Sequence, residues 1–321
     1  MRIPTRVGIP FLLAGAIACA QAQDYPVRPI RIVVPTEPGG SSDTLARLLG
    51  GKLHEQWGQP VVVENRAGAS QMIGANVVAK APADGHVILL PTVTYTVSAA
   101  AQPGLPFDAL NDLTGITMIG DGPFLVVVHP SLPVKSIKEL IALAKARPGE
   151  INYGSTGVGI GRLNMEVLMA AAGISLTHIP YRSAAPSVIA AVGGHVSVLI
   201  LSLPSVLSQV KAGRLRALAV TSAKRSAFVP ELPTVAESGV PGYEARQWWG
   251  FLAPGKTPPS VIGKLNGELQ RILTIEDVKT RLATEGAQPV LGMTPEAFNA
   301  VLRSDIEKWR KVVRDLKLEI N

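Results

Sequence analysis

Short β-branched runs alternate with segments of helical periodicity along most of this chain, and no other feature constrains its fold as strongly. The run from Ile30 to Pro35 precedes a helical pattern that places Leu45, Leu49 and Leu53 on one face. Similar strand and helix patterns recur as far as Val220. Because strands that alternate with helices form parallel sheets covered by helices, the sequence predicts an α/β fold.

The alternating pattern divides into two units that are each large enough to form a lobe. The first unit reads β-α-β-α-β and ends with a strand at Val87 to Leu90, and the second restarts with a strand around Phe124 to Val128. Two helical segments, Pro258 to Leu273 and Pro295 to Leu316, follow without strands of their own. Such helices must cover an existing sheet, so we expect them to pack on the first unit.

This arrangement makes the chain cross between the two units twice, near Phe124 and near Trp248. We therefore predict that residues 23–124 and 248–321 form one lobe and that residues 125–247 form the other. Two crossing segments form a hinge, and the cleft between two hinged lobes is a natural ligand site.

The N-terminus is typical of a secretory signal peptide. Its first residues include two arginines and no acid, and the apolar run Ile9 to Cys19 is too short to span a bilayer. The motif Ala20-Gln21-Ala22 matches a cleavage site, so residues 1–22 are predicted to be removed during export to the periplasm. A lipoprotein signal at Cys19 is the alternative, but Ala16 is a poor residue at the first position of that motif.

Each unit contains a strand that leads through a glycine loop into a helix. Glycines allow the backbone to approach a ligand closely, and the helix N-terminus behind them presents free N–H groups and a partial positive charge. Two such loops facing one cleft would hold an anion from both sides, although each alone is also a common turn with a capping serine. The first glycine loop is Pro38-Gly39-Gly40-Ser41-Ser42-Asp43, and the second is Tyr153-Gly154-Ser155-Thr156-Gly157-Val158-Gly159-Ile160-Gly161-Arg162.

The charge pattern favours an anionic ligand over nucleic acid. The formal net charge is +7, but the basic residues are scattered and aromatic residues make up only 5% of the chain, unlike a nucleic-acid surface. No acid occurs from Val167 to Pro230, so we expect the second unit to direct a positive potential toward the cleft. Arg162 begins a helix, where a cation is unfavourable unless a bound anion offsets it.

Catalytic, nucleotide and metal motifs are absent from the sequence, which predicts a protein that is not an enzyme and needs no cofactor. The five histidines lack metal-ligand spacing, and neither Gly-x-Ser-x-Gly nor His-Glu-x-x-His occurs. There is no Walker motif, and the second glycine loop lacks the spacing and the downstream acid of a dinucleotide fingerprint. An exported hydrolase would need a nucleophile–base pair that the sequence does not reveal.

Five runs of this sequence match the pattern of one protein family. They are Arg28-Pro29-Ile30-Arg31-Ile32-Val33-Val34-Pro35, Pro38-Gly39-Gly40-Ser41-Ser42-Asp43, Val62-Val63-Glu64-Asn65-Arg66-Ala67-Gly68-Ala69, Leu215-Arg216-Ala217-Leu218-Ala219-Val220-Thr221 and Leu232-Pro233-Thr234-Val235-Ala236-Glu237-Ser238-Gly239. From about Tyr25 to Leu318 the chain resembles the receptors of tripartite tricarboxylate transporters, the TctC or Bug family. The resemblance implies a type II-like, two-lobe periplasmic binding protein of the Venus-flytrap kind. Its ligand would be a small carboxylate, held partly through ordered waters and delivered to a membrane permease of one large and one small subunit.

The resemblance also implies which residues form the binding site. They are Gly39, Gly40, Ser41 and Asp43 in the first glycine loop, Ser155, Thr156, Gly157 and Gly159 in the second, and Thr92, Thr94 and Tyr181 after other strands. The chain departs from the family pattern where Thr36 replaces an aromatic residue, Arg162 replaces a histidine and Leu201 replaces an aspartate. Leu201 offers nothing to an ammonium group, whereas Arg162 is suited to a second carboxylate. We therefore expect a mono- or dicarboxylate without a free amino group.

The same clamp would serve a periplasmic sensor subunit that presents its ligand to a signalling receptor, and the sequence leaves this alternative open. In either role we expect a monomer whose partners are a small carboxylate and membrane proteins, with no nucleic acid.

Overall fold

The computed structural model describes residues 25–156 and 159–315. The predicted signal peptide, residues 1–22, lies outside the described residues, and so does Gly157 of the second glycine loop. The strands are β1 Ile30–Val34, β2 Val61–Asn65, β3 Val87–Leu89, β4 Leu113–Val128, β5 Asn152–Thr156, β6 Thr177–Tyr181, β7 Val198–Ser202, β8 Arg216–Val220, β9 Arg246–Pro254 and β10 Gln288–Pro289. The α-helices are α1 Ser41–Trp57, α2 Met72–Ala79, α3 Val93–Ala101, α4 Ile137–Ala146, α5 Ile160–Ala172, α6 Ala184–Val192, α7 Leu203–Lys211, α8 Pro259–Ile272, α9 Glu276–Thr284 and α10 Pro295–Asp315.

The strands form two groups that share the long strand β4. The order across the molecule is β2-β1-β3-β9-β4-β7-β5-β6, with β8 and β10 also paired to β4. Leu113 to Pro123 of β4 pair with β9, whereas Phe124 to Val128 pair with β7 and β8. Strands β1, β2 and β3 are parallel in one lobe, and β5, β6 and β7 are parallel in the other.

The chain crosses between the lobes along β4 and again at the start of β9. The second crossing is fixed where the amide of Ala245 donates to the carbonyl of Thr221, just after β8. The two-lobe α/β fold with two crossing segments, predicted from the alternating pattern, is confirmed. The residue limits proposed for each lobe stay a prediction.

Both sheets are covered on both faces, as parallel sheets require. In the first lobe Ile30, Ile32 and Val34 face α1 and α8, while Val33 faces the layer that contains α2, α3 and α10. All four of these side chains are fully buried. Each contributes about 1.5–3 kcal/mol of transfer free energy, which holds β1, the strand before the first glycine loop, in the core.

Some elements were not predicted, and each has a physical reason. Helix α3 is rich in β-branched residues, yet it forms because Thr92 caps it by accepting from the amide of Thr94. Helix α9 buries only Val278 and Leu282, so its periodicity is weak. The first part of β4 contains glycines where other chain segments approach: a methyl group on Gly115 would lie 2.9 Å from the ring of Phe298.

The C-terminal helices pack on the first lobe, as expected, and α10 also reaches the second. The indole of Trp248 donates to Asp305 at 2.9 Å and its ring packs edge-on against Phe298. Near the other end of α10, Trp309 packs with Val97 of α3 and Leu163 of α5. Because α5 belongs to the second lobe, α10 contributes to the contact between the lobes.

Candidate functional site

The carboxyl ends of the parallel strands meet where the two lobes face each other. Strands β1 and β3 end there in the first lobe, and β5, β6 and β7 end there in the second. Each of these strands is followed by a helix, so several helix N-termini point toward the same region. In open α/β sheets this is the edge at which ligands bind, because the free N–H groups of the helices lie there.

The first glycine loop is held by an aspartate and not by a capping serine. Gly39 has a φ of 83°, a left-handed conformation that suits glycine. Its amide donates to Oδ2 of Asp43 at 3.0 Å, and Arg47 donates to both carboxylate oxygens at 2.9 and 3.1 Å. The Arg47 guanidinium holds the pKa of Asp43 below its usual value, despite burial. Asp43 accepts three hydrogen bonds and therefore shapes the loop.

Ser41 connects the first glycine loop to the end of α9. Its hydroxyl donates to Glu285, whose other carboxylate oxygen accepts from Arg281 at 2.6 Å. Sequence analysis missed Glu285, since it lies far along the chain within a segment of weak periodicity. The adjacent Gly286 lies against α7 of the second lobe, because a methyl group there would be 2.9 Å from Cδ of Pro204. The first loop is thereby linked to the interface between the lobes.

The second glycine loop begins with a buried serine. The hydroxyl of Ser155 is 2.7 Å from Nε2 of His178, and the serine is only 1% exposed. Gly159 caps α5, and Gly161 lies so close to β7 that a methyl group would be 2.9 Å from the carbonyl of Ile200. Small residues at these positions let the start of α5 approach the strand ends closely. Gly157 and the side chain of Thr156 lie outside the described residues.

His178 belongs to a polar cluster behind Ser155 that sequence analysis did not find. Its ring lies 5.0 Å from that of Tyr153, and the Tyr153 hydroxyl donates to Glu166 at 2.8 Å. The Nε of Arg162 is 3.7 Å from the same Glu166 oxygen. Burial, together with the charge of Arg162, lowers the pKa of His178. His178 is therefore neutral at pH 7, and the register of β5 with β6 is what brings it to Ser155.

A serine bonded to a histidine supplies two of the three members of a hydrolytic triad, so this pair bears on the exported-hydrolase alternative. A working triad also needs a group that orients the second ring nitrogen. Within residues 25–156 and 159–315, no side chain or carbonyl bonds to Nδ1 of His178. The geometry therefore supports a hydrogen-bonding role for Ser155 and not nucleophilic catalysis.

Thr92 and Thr94 lie at the start of α3, on the first-lobe side. The amide and hydroxyl of Thr92 both bond to the side chain of Gln71, at 3.1 and 2.6 Å. Gln71 is buried and ends a run of three non-glycine residues with positive φ, Ala69, Ser70 and Gln71. Such a backbone is costly and persists only where its surroundings hold it. Gln71 thus fixes the α3 N-terminus, and no motif in the sequence marked it.

Tyr181 and Leu201 both lie at strand ends in the second lobe. Tyr181 is the register partner of Thr156, and its ring packs on Gly154. Leu201 is 8% exposed and belongs to the apolar cluster beneath α6 and α7. A buried leucine provides no partner for an ammonium group.

Residues 167–230 contain no acid, and we call them the acid-free segment. Its cations are less concentrated at the carboxyl ends of the strands than the sequence suggested. Arg182 follows β6 directly, is exposed, and has no carboxylate within 4 Å among the residues that the structure describes. In contrast, Arg216 pairs with Val128, which places it level with the first residue of β7 and away from the strand ends. Arg225 is bonded to Glu237 at 2.9 Å. Arg182, directly after β6, and Arg162, in the first turn of α5, are therefore two cations that lie at this edge.

Asn164 is a further residue that sequence analysis missed. It lies one turn into α5, is fully buried, and neither amide atom of its side chain has a partner among the described residues. An unsatisfied buried amide costs about 1–3 kcal/mol, so such a group calls for a water or a ligand. No local motif marks it, because its burial depends on how α5 packs.

Metal clusters and membrane-spanning helices are both absent from the described part of the chain. Residues 25–156 and 159–315 hold no cluster of three or more histidine, cysteine, aspartate or glutamate side chains suited to a metal ion. In the same ranges, no helix combines the length and the hydropathy needed to cross a bilayer.

Comparison with known proteins gives one consistent family. The model of the tripartite tricarboxylate transporter family receptor matches residues 45–318. Protein BugT of Bordetella pertussis is 38% identical over 317 residues, which cover 98% of this chain and 97% of the relative. A UPF0065 protein from the tcbD-tcbE intergenic region of a Pseudomonas species is 37% identical, covering 98% of this chain and 94% of the relative.

Solved structures share both the fold and part of the sequence. The R. palustris protein Rpa4515 with adipate has a TM-score of 0.80 and 36% identity, covering 92% of this chain and 99% of its own. The periplasmic binding protein BugD has a TM-score of 0.77 and 31% identity, with coverages of 92% and 99%. MatC from Rhodopseudomonas palustris with bound malate has a TM-score of 0.77 and 28% identity, with coverages of 90% and 100%.

Proposed function

Because this chain belongs to the family of tripartite tricarboxylate transporter receptors, we propose that it captures a small mono- or dicarboxylate between its glycine loops and delivers it to a membrane permease. The family consists of periplasmic solute-binding receptors and not of enzymes. Two similar proteins of known structure carry adipate and malate, which supports a carboxylate ligand here. Export would follow removal of residues 1–22, and the receptor would act as a monomer with a large and a small permease subunit as partners.

The observation that carries the proposal is the placement of two glycine-opened helices on either side of the hinge. Helix α1 begins after Gly40 in the first lobe, and α5 begins after Gly159 in the second. Both starts lie at carboxyl ends of parallel strands. Free N–H groups and the helix dipoles then favour a carboxylate over a neutral solute. Closure of the hinge would let donors of both lobes act on one ligand.

We propose direct or water-mediated ligand contacts from both lobes. The first lobe would contribute Gly39, Gly40, Ser41, Thr92 and Thr94, and the second would contribute Ser155, Thr156, Gly157, Gly159 and Tyr181. Asp43 would act by holding the first loop in shape, since its carboxylate accepts from Gly39 and Arg47. Leu201 would form part of the wall and select against an amino group.

A second carboxylate would need a cation, and two arginines are candidates. Arg162 is 26% exposed at its side chain and lies 3.7 Å from Glu166, so part of its charge is offset. Arg182 is exposed and follows Tyr181, the register partner of Thr156. Because Arg182 has no carboxylate within 4 Å among the described residues, its charge is available for a ligand. We retain Arg162 as a contact and add Arg182 as the second cation.

The proposed function is tested by identifying the ligand and then measuring closure. Native mass spectrometry of the freshly purified protein is expected to reveal a retained acid. Calorimetric titration with adipate, malate and hexanoate then compares the affinities for dicarboxylates and a monocarboxylate. Small-angle scattering is then expected to show compaction when the tightest acid binds. A neutral sugar or an amine as the tightest ligand would contradict the proposal, and so would bound acid with an unchanged scattering curve.

A further inference from the structure

An apolar groove crosses the second lobe beside β8 and takes no part in the proposed binding site. We call it the β8 groove, and its volume is about 460 Å³. Helix α7 forms one wall through Leu207 and Val210, and the segment after β8 forms the other through Phe228 and Leu232. The floor includes Leu125, Leu215 and Ala217. The volume lies in the range of grooves that hold small ligands or a few side chains.

The basic end of the groove lies away from the edge where the ligand is expected, whereas Leu125 on its floor is level with the carboxyl end of β7. Arg216 and Ala217, which line it, are at the amino end of β8, level with the amino end of β7. The glycine loops follow the carboxyl ends of the strands. A strand of five residues extends by about 13 Å between its ends, so one small carboxylate does not reach both places. The groove is therefore free for another partner.

Basic residues surround the groove. Lys211 and Arg216 line it, and Arg214 lies between them in the turn from α7 to β8. Lys211 and Arg214 are exposed, whereas Arg216 is half-buried and held by a bond from its guanidinium to the carbonyl of Val134. Glu231 is the single acid among the lining residues that the structure describes. The rim thus carries a net positive charge that complements an acidic partner.

The shape of the groove favours a protein segment over a membrane surface. Its apolar wall side chains do not protrude, because Leu207, Val210, Phe228 and Leu232 are all partly buried. A bilayer contacts residues that protrude, such as those on the apolar face of an interfacial helix. A short peptide segment, in contrast, inserts individual side chains into a recess and places its charges on the rim.

We propose that the β8 groove docks a short segment of a partner protein that combines apolar side chains with acidic ones. The acid-free segment then has a use that ligand capture does not explain, since Lys211, Arg214 and Arg216 lie away from the glycine loops. This inference rests on the proposed delivery role, because a receptor that hands over its ligand needs a surface for its partner.

The test uses the full chain and two synthetic peptides. One is an amphipathic helical peptide of leucine and glutamate, and the other replaces each glutamate with lysine. Fluorescence anisotropy is expected to show that the glutamate peptide binds at least about tenfold more tightly than the lysine peptide, with an affinity that falls as salt rises. Chemical-shift changes are expected to be confined to residues around Leu207 and Phe228. Equal binding of both peptides, binding of neither, or shifts located elsewhere would overturn the proposal.

Variants then separate the groove from other surfaces. Lys211→Glu and Arg214→Glu alter exposed side chains, so the fold should be retained, and each is expected to weaken the glutamate peptide by about tenfold. Lys145→Glu on α4 changes the same charge outside the groove and should have no effect. Phe228→Asp should abolish peptide binding. If Phe228→Asp leaves binding intact, the groove is not the site.

Two further measurements separate a protein partner from a membrane surface and from the carboxylate site. Co-sedimentation with phosphatidylcholine and phosphatidylglycerol vesicles tests whether the groove binds a membrane surface. If vesicle binding persists in Phe228→Asp but is lost in Arg214→Glu, the partner is a bilayer and the proposal is overturned. Calorimetry with the carboxylate is expected to be unchanged in all groove variants. A wild-type protein that binds no acid would refute the proposed function, whereas acid binding without peptide binding would refute the groove alone.

Discussion

The two glycine loops have similar sequences and occupy equivalent positions, but the protein holds them by different means. Carboxylates hold the first loop: Asp43 accepts from Gly39 and Arg47, and Glu285 accepts from Ser41 and Arg281. Two uncharged side chains hold the start of the second loop, where Ser155 bonds to a histidine whose pKa is lowered. In the first loop the carboxylates already occupy the nearby cations. The difference indicates that the first lobe supplies a rigid set of neutral donors, while available positive charge comes from the second.

The largest expected effect on ligand affinity comes from removing the hydroxyl of Ser155 in the second glycine loop. Ser155→Ala should weaken carboxylate binding by about ten- to hundredfold, because a hydrogen bond to a charged group contributes about 1.5–3 kcal/mol. Calorimetric titration of the native ligand measures the change. Ser187→Ala, which removes another buried hydroxyl of the second lobe that bonds within α6, is the control and should leave affinity unchanged. Equal affinities of Ser155→Ala and wild type would remove Ser155 from the site.

Asp43→Asn tests whether charge holds the first loop. The carboxylate is 5% exposed and accepts from Gly39 and Arg47, so its loss should cost about 1–3 kcal/mol of unfolding free energy, measured by urea denaturation. The lowered pKa of Asp43 means that its contribution is present above its unfolded pKa and is lost as the pH falls. The loss caused by Asp43→Asn should therefore shrink in strongly acidic solution.

Arg47→Gln is the matched control for that variant, since the Arg47 side chain is 57% exposed. An exposed ion pair contributes only about 0–1 kcal/mol, so this change should be smaller than that of Asp43→Asn. If the two variants are equally destabilised, the ion pair and not the bond to Gly39 holds the loop.

A pair of arginine variants tests where the available positive charge lies. Arg182→Gln should weaken adipate by about tenfold and hexanoate much less, because only adipate has a second carboxylate to lose a charged partner. Arg162→Gln removes the same charge, but Glu166 already offsets part of the charge of Arg162. The losses of affinity for adipate and hexanoate should therefore differ less in Arg162→Gln than in Arg182→Gln. Equal losses for both acids in both variants would mean that neither arginine contacts a second carboxylate.

The smallest expected effect is a pH dependence that arises from the second loop. Because the pKa of His178 is lowered by burial and by Arg162, the unfolded chain takes up a proton at a higher pH than the folded protein. The stability contributed by neutral His178 is thus full above the unfolded pKa of about 6.5 and is lost as the pH falls. The melting temperature should decline below about pH 6 in the wild type and less steeply in His178→Gln. Identical pH profiles would show that another group titrates.

Local patterns in the chain were sufficient to predict the alternating elements, the two lobes and the positions of both glycine loops. One example is the β-branched run Ile30–Val34, which forms β1. Periodicity and turn chemistry act over a few residues, so they can be recognised without knowledge of the fold. The first part of β4 was missed because its glycines accommodate partners elsewhere in the chain, such as Phe298 and Gly286.

What holds each loop depends on tertiary contacts that no local pattern contains. Ser41 meets Glu285, Thr92 meets Gln71 and Ser155 meets His178, although each pair is separated by at least 21 residues. Strand register and helix packing bring these groups together, and neither is encoded by local spacing. The same holds for Asn164, whose burial follows from the way α5 packs. Partners that are distant in sequence decide whether a loop is held by charged or by neutral groups. The electrostatic environment of a group depends on distance in space and not on distance along the chain.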